Sequence, residues 1–236
     1  MPRTVNKLEY AEKRAEILAV ARRLVYTRGY EQMTIQDILG ELQISKGAFY
    51  HYFDSKQALL EGLVEAMQRE GEQIFAAIVR DPALPTLAKL QRFFDAANSW
   101  KSAQKEYLLA LVRVWHHDHN AVVRQKAQAR MAQLLVPLLT EVVQQGHGEG
   151  SLSTPFPELA GEVALSLLVG LGEAIAQLLL AQGPPAGVLA RAEGLVAAYN
   201  DALERVLGAP AGSLHLIEPA SLAEWFVAAE AQVAAD

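Results

Sequence analysis

The sequence predicts an all-α fold in two parts, on three observations. Apolar residues recur three and four apart nearly throughout, good helix formers (Ala, Leu, Glu, Gln, Arg) dominate, and no run alternates in the manner of a strand. Three short-to-medium helices with very short turns come first, and long apolar helices follow. With 236 residues, 51% hydrophobic and 20% charged, the chain has the material for a substantial core, in one large or two small domains.

The elements follow in order. A first helix is predicted over about Leu8–Arg28, with Ile17, Leu18, Ala21, Leu24 and Val25 on one stripe and Gly29 as its stop. A second starts at Thr34, whose hydroxyl caps Ile35, Ile38 and Leu39, and runs to about Leu42. A third opens at the N-cap Ser45 and stops near Asp54 or Ser55, which caps a long helix from Lys56 to about Arg80. After the break Asp81-Pro-Ala-Leu-Pro85, helices are predicted over about Leu87–Trp100 and Glu106–His117. A long helix over about Ala121–Gln145 contains Pro137, where a kink is expected. Gly146–Ser153 reads as the most flexible loop. Two more long helices, about 157–181 and 186–207, are joined through Gly183-Pro-Pro185, and Gly208–Gly212 reads as a linker to a short amphipathic helix near Ser221–Ala234.

Composition excludes several functions. There is no cysteine, hence no disulfide framework, thiolate zinc site or cysteine nucleophile. The opening MPRTVNKLEYAEKRAE carries charges of both signs where an export signal needs an apolar core, so a cytoplasmic protein is expected. Val163–Ala181 is nearly long enough to span a bilayer, but Glu173 and Gln177 near its middle favour a helix buried in a protein or an oligomer. Residues 1–56 hold nine Lys/Arg against seven Asp/Glu and residues 57–236 twelve against twenty, so a negatively charged partner is expected only at the N-terminal quarter.

The run Ile44–Lys56, ISKGAFYHYFDSK, packs five rings into consecutive positions. Wound at 100° per residue, Phe49 and Phe53 share a face with Tyr52 beside them, while Lys46, Gly47, Tyr50 and His51 fall opposite. The first face suits a small core. The second offers a cation, a residue without a side chain, a phenol and an imidazole, a set that suits a nucleic-acid backbone and groove. Short helix, tight turn and second helix fit a helix-turn-helix, whose second helix enters the major groove of DNA. Core filling accounts for the rings equally well when the run is taken alone.

From about Arg14 to Met67 the chain resembles the tetracycline-repressor (TetR) family of bacterial transcriptional regulators. The resemblance rests on Gly29-Tyr30, on Thr34-Ile35, and on Gly47, Phe49, Tyr50, His51, Tyr52, Phe53 and Lys56 at fixed spacing. It implies that Thr34, with the N-terminus of its helix, meets a DNA phosphate, a role the helix dipole favours. It also implies that Tyr50, Tyr52 and Lys56 grip phosphates while Lys46, Gly47 and His51 face base edges. Ser45 and Ala48 complete the expected DNA-binding set. The family more often has Tyr or Trp and then His where this chain has His51 and then Tyr52, which leaves a base edge and a phosphate as two assignments for His51. Arg3 and Lys7 read either as an arm reaching the backbone or as a solvated start.

The resemblance implies a division into a helix-turn-helix DNA-binding domain (1–56), a helical effector-binding and dimerisation domain (57–207), and a linker with a short helix (208–236). Small residues at Gly161, Ala164, Gly170, Gly172 and Ala176 suit close contact between the helices about 157–181 and 186–207 of two copies, a four-helix interface that sets two recognition helices on a palindromic operator. Phe93, Phe94, Trp100, Tyr107, Trp115 and Met131, with Asn98, His116 and Gln128 as polar groups, suit a mostly apolar effector pocket, and suit an ordinary core as well. His116-His-Asp-His119 reads as a polar helix end rather than a metal site, and Glu173 as a partner for a basic group or a rim residue. No cofactor and no metal are expected. The predicted function is a homodimeric repressor released by a small, largely apolar ligand. The alternative is a structural or division-control DNA-binding protein of the same fold without an effector. An enzyme is not expected, since no nucleophile–base pair or phosphate loop is present.

Overall fold

The computed structural model describes residues 7–116, 120–180 and 185–235, and it is all-α, with no strand among the described residues. The helices are α1 (Lys7–Arg28), α2 (Ile35–Leu42), α3 (Lys46–Tyr50), α4 (Lys56–Val79), α5 (Thr86–Ser102), α6 (Lys105–Trp115), α7 (Ala121–Glu149), α8 (Ala160–Leu180), α9 (Pro185–Leu207) and α10 (Pro219–Ala235). They divide into two packing units, Met1–Gln68 with Glu106–Ala127, and Arg69–Lys105 with Gln128–Asp236.

In the first unit the expected stripe of α1 (Ile17, Leu18, Ala21, Leu24, Val25) is buried against Ile38 and Leu39 of α2, Phe49 of α3, Phe53, and Leu59, Leu60 and Leu63 of α4. Tyr107 and Leu111 of α6 close the same core. The first two helices are bounded by local chemistry. Gly29 ends α1 with φ 78° while its N–H still reaches the Val25 carbonyl at 2.9 Å. Thr34 and Asp37 form a capping box at the start of α2, with the Asp37 N–H on Thr34 Oγ1 at 3.2 Å and the Thr34 N–H on the Asp37 carboxylate at 2.8 Å. Gln43 ends α2 in the left-handed region at φ 52°, the one described non-glycine residue with positive φ.

Two expectations are corrected here. The third helix does not run to Asp54; it stops at Tyr50 with His51 as its C-cap. The Tyr52 and Phe53 N–H groups both turn onto the Phe49 carbonyl, at 2.9 and 3.1 Å, which tightens the chain and drops Phe53 into the core. Ser55 must stand free of that helix because its hydroxyl accepts the Ala58 N–H at 3.0 Å to open α4. The second correction is the glycine-rich stretch after Gln145, read as a flexible loop. Gly146, His147, Gly148 and Glu149 are instead the last turn of α7, and the helix ends at Gly150 with φ 74°. Gly146 is there for packing: a Cβ on it would meet Thr86 Cγ2 at 2.6 Å and Leu152 at 2.7 Å.

In the second unit α8 and α9 pack together and α10 packs on both. Gly161 brings α8 against the backbone of Thr140 in α7, and Gly170 brings it against the Tyr199 ring of α9. The C-terminus of α4 is capped by a buried lysine, Lys89, whose ammonium donates to the Val79 carbonyl and to Gln145 Oε1. The segment after α9, expected to behave as a linker, is held in place. Glu204 accepts the Gly212 and Leu214 N–H groups, Asn200 bonds the Leu214 carbonyl and the Leu216 N–H, and Gln91 does the same for both backbone groups of His215. Leu214 and Leu216 are core residues as a result. Side-chain carboxylate and amide groups supply here the backbone pairing that a sheet would otherwise give.

Candidate nucleic-acid interface

The site is built on the short third helix. Ser45 holds an extended backbone and takes the Ala48 N–H on its hydroxyl at 3.1 Å, which launches α3 one residue later. Phe49 then points inward and is fully buried, with Phe53 beside it at 5.9 Å between ring centres. Every other turn position of α3 faces outward: Ser45, Lys46, Gly47, Tyr50 and His51 are exposed and Ala48 is half-buried. Lys46 Nζ lies 5.9 Å from the Tyr50 ring centre, so cation and phenol sit together on the open face. Nothing in the fold requires a glycine at 47. A Cβ there would meet only Ser45 Oγ, at 3.9 Å, and its φ is not in the left-handed region.

The remaining expected contacts are tied more closely to the fold. Tyr52 is half-buried against the first core and its ring lies 4.7 Å from that of Tyr10. Lys56 donates to the Glu31 carbonyl at 3.0 Å and lies 4.6 Å from the Tyr30 ring centre. Burial lowers the Lys56 ammonium from its usual range, and the nearby Glu31 charge opposes that. The exposed Thr34 has its hydroxyl on Asp37 at 2.7 Å. Asp37 is held below the usual carboxylate range by the Thr34 hydroxyl and N–H, with Arg28 adding to both at 3.2 Å. A phosphate approaching this helix end therefore meets a carboxylate already seated there.

The expected effector residues fall into separate surroundings. Tyr107, Trp115 and His116 belong to the first unit, where Tyr107 is buried with Arg22 over its ring at 5.3 Å and His116 Nδ1 lies 2.9 Å from the Val112 carbonyl. Phe93, Phe94, Asn98, Trp100, Gln128 and Met131 belong to the second. Phe93 and Phe94 are spent on core, with Phe93 stacked on Phe75 at 4.2 Å. Asn98 donates to the Leu216 carbonyl at 2.7 Å, Trp100 and Met131 are half-buried, and Gln128 is exposed. Arg3 and residues 117–119 of the His116–His119 run lie outside the described residues. Sequence reasoning missed Tyr10 and Arg14. Arg14 lies 5.0 Å from the Phe53 ring centre, beside Gly62, and 3.4 Å from Glu65. Both continue the α1 stripe backwards at helical spacing, which was the available signal.

A capped α2, a left-handed turn at Gln43 and a short α3 with one buried and one open face define a helix-turn-helix protein. Residues 17–63 match the model of bacterial regulatory proteins of the tetR family. Over those residues the chain is similar to that family of transcriptional regulators. It is 29% identical over 69 residues to the HTH-type transcriptional repressor DhaR of Mycobacterium sp. (strain GP1), a match over 29% of this chain and 35% of that one. It is 24% identical over 145 residues to the HTH-type transcriptional regulator EthR of Mycolicibacterium smegmatis, over 54% of this chain and 67% of the relative. Among solved structures, a TetR-family transcriptional regulator from Pectobacterium atrosepticum shares the fold at a TM-score of 0.60 and 23% identity, covering 86% of this chain and 97% of that one. The match to DhaR thus spans about a third of that protein's length.

Proposed function

We propose that the chain is a cytoplasmic, homodimeric repressor that binds a palindromic operator in double-stranded DNA and leaves it when a small, largely apolar ligand binds. The observation that carries the DNA reading is the open face of α3, where Lys46, Gly47, Tyr50 and His51 stand exposed together. Lys46 supplies charge for phosphates or a base edge, Gly47 lets backbone come close, and Tyr50 and His51 supply hydrogen bonds. Ser45 and Ala48 frame the helix start, Tyr52 and Lys56 flank its end, and Thr34 marks the start of α2. This makes residues 1–56 the DNA-binding domain, 57–207 the effector and dimerisation domain, and 208–236 a C-terminal extension.

The dimer reading rests on α8. Its sequence is apolar enough to span a membrane, yet within one copy Leu167, Leu168 and Val169 on it are only half-buried. Phe156 and Leu159, just before α8, and Val163 in its first turn are exposed. A second copy pairing its own α8 and α9 with these would cover that surface under two-fold symmetry and space two recognition helices about one DNA turn apart. Sedimentation equilibrium of the wild type and of Val163→Glu tests this: a monomeric wild type overturns the dimer. For DNA, duplexes selected by the full chain from a random library are titrated with Lys46→Ala and Tyr50→Phe. Unchanged affinity in both variants overturns the interface.

The ligand acts by binding the state with mismatched recognition helices more tightly than the DNA-bound state. A thermal-shift screen of apolar and cationic compounds tests it, since a ligand of the native state raises the melting temperature by mass action. One observation favours the second reading, a DNA-binding protein of this fold without an effector. Phe93, Phe94 and Asn98, three of the residues expected to line the pocket, are occupied by contacts within the chain. No catalytic role is proposed.

A further inference from the structure

We propose that Tyr10, on the second turn of α1, is a positioning residue for the DNA-reading end of α3. The proposal rests on the DNA-binding reading of α3. Tyr10 precedes Ile17 by seven residues, two helical turns, so it stands on the same stripe of α1 that builds the core below. There the stripe meets His51 and Tyr52 instead of aliphatic core. Its ring centre lies 4.7 Å from that of Tyr52, tilted at 33°, and 5.6 Å from that of His51, edge-on at 83°. His51 and Tyr52 complete the triangle at 5.1 Å and 80°.

His51 needs such a support. As the C-cap of α3 it keeps helical dihedrals, φ −69° and ψ −24°, so the backbone sets where its side chain starts but not its rotamer, and the imidazole is exposed. Its one described ring neighbour outside its own turn is Tyr10. Edge-on and offset ring pairs of this kind have preferred geometries and favour a small set of rotamers. Fixing the imidazole before DNA arrives lowers the ordering cost of binding. Tyr10 thereby acts on base or phosphate choice through His51 and Tyr52, without itself reading a base.

The test uses the full chain and a duplex it selects from a random library, with a scrambled duplex as the non-specific probe. Tyr10→Phe keeps the ring and should bind the selected duplex like wild type. Tyr10→Ala and the volume-filling Tyr10→Leu should each weaken the selected duplex about three- to tenfold, the worth of one ring pair, and leave the scrambled duplex unchanged. In a His51→Ala background the same changes should cost less, the mark of a shared role. Circular dichroism melts and stoichiometric titration of active protein separate this from loss of folding, which would weaken both duplexes alike. Wild-type discrimination in Tyr10→Leu overturns the proposal, as does an equal loss in Tyr10→Phe, which would make the hydroxyl the acting group. Failure to enrich any duplex overturns the DNA-binding reading, and this inference with it.

Discussion

The Tyr30 hydroxyl donates to the Lys56 carbonyl oxygen at 3.0 Å, while the Lys56 ammonium lies 4.6 Å from the centre of the Tyr30 ring. One residue from the turn after α1 and one from the start of α4 thus clasp each other twice, through the backbone and through the ring. The ammonium's further bond to the Glu31 carbonyl closes the clasp. A residue expected to grip phosphate is therefore also a structural fastener, and any DNA contact it makes draws on the donors left over.

Removing the hydroxyl should show that role. Tyr30→Phe is expected to cost about 1 kcal/mol, the net worth of a hydrogen bond, read as a lower midpoint in denaturant. The tyrosine also gives the fold an alkaline limit. Burial foremost, and then the Glu31 charge, push its phenol up to about 12 from 10.0. The unfolded chain loses this proton first, so the stability it carries is intact below pH 10 and is lost as pH rises from 10 to 12. Melting temperatures across that window should fall less steeply for Tyr30→Phe than for wild type.

The cap of α2 has the opposite pH sign. Asp37 is held below the usual carboxylate range in the fold, so its contribution is present above pH 3.8 and disappears as pH falls below it. Thr34→Ala removes the hydroxyl from the box and should cost about 1 kcal/mol at neutral pH. Acid melts of Asp37→Asn should lose part of the wild-type slope. The same melts separate capping from DNA contact: a Thr34 variant that binds DNA poorly yet melts normally would assign the hydroxyl to phosphate alone.

Gln43 stands at φ 52°, where a side chain is strained by roughly 1–2 kcal/mol and glycine is not. Glycine's greater freedom in the unfolded chain returns part of that gain. Gln43→Gly should therefore stabilise by up to about 1 kcal/mol, measured as a raised denaturant midpoint, and leave the α2–α3 turn unchanged.

Glycines on α8 should respond in opposite ways. A Cβ at Gly161 would lie 2.6 Å from the Thr140 backbone nitrogen, which cannot rotate away. Gly161→Ala is expected to cost about 1–3 kcal/mol by overpacking. Gly172 has open space around its Cβ position within one copy, so Gly172→Ala should gain up to about 1 kcal/mol of helix propensity. A weaker dimer in Gly172→Ala alone would show that the partner's helix occupies that space.

Lys89 is a buried cation in the second unit. Lys89→Met keeps the length of the stem but leaves the Val79 carbonyl and Gln145 Oε1 without their donor. A loss of about 1–3 kcal/mol is expected, seen as a lower melting temperature with DNA binding per folded molecule unchanged.

Helix identities, their caps at Thr34, Ser45 and Ser55, and the inward turn of Phe49 were all legible in the chain, because hydrophobic period and capping chemistry act within a few residues. So was the open face of α3, since at 100° per residue Tyr50 and His51 turn away from the buried Phe49 whatever lies around them. What long-range packing alone decides was not legible. Gly146 read as a breaker because part of its reason for being glycine, the approach of Thr86, lies sixty residues away in sequence. Gly208–Gly212 read as a linker because Glu204, Asn200 and Gln91 fasten the segment that follows from other elements. Tyr10 was passed over because its partners His51 and Tyr52 lie forty residues on. Local sequence sufficed for the helices and for the two faces of α3. The tertiary structure alone decided where α3 stops, which glycines are packed, and which rings are core and which stand on the open face, because those outcomes depend on atoms that only folding brings together.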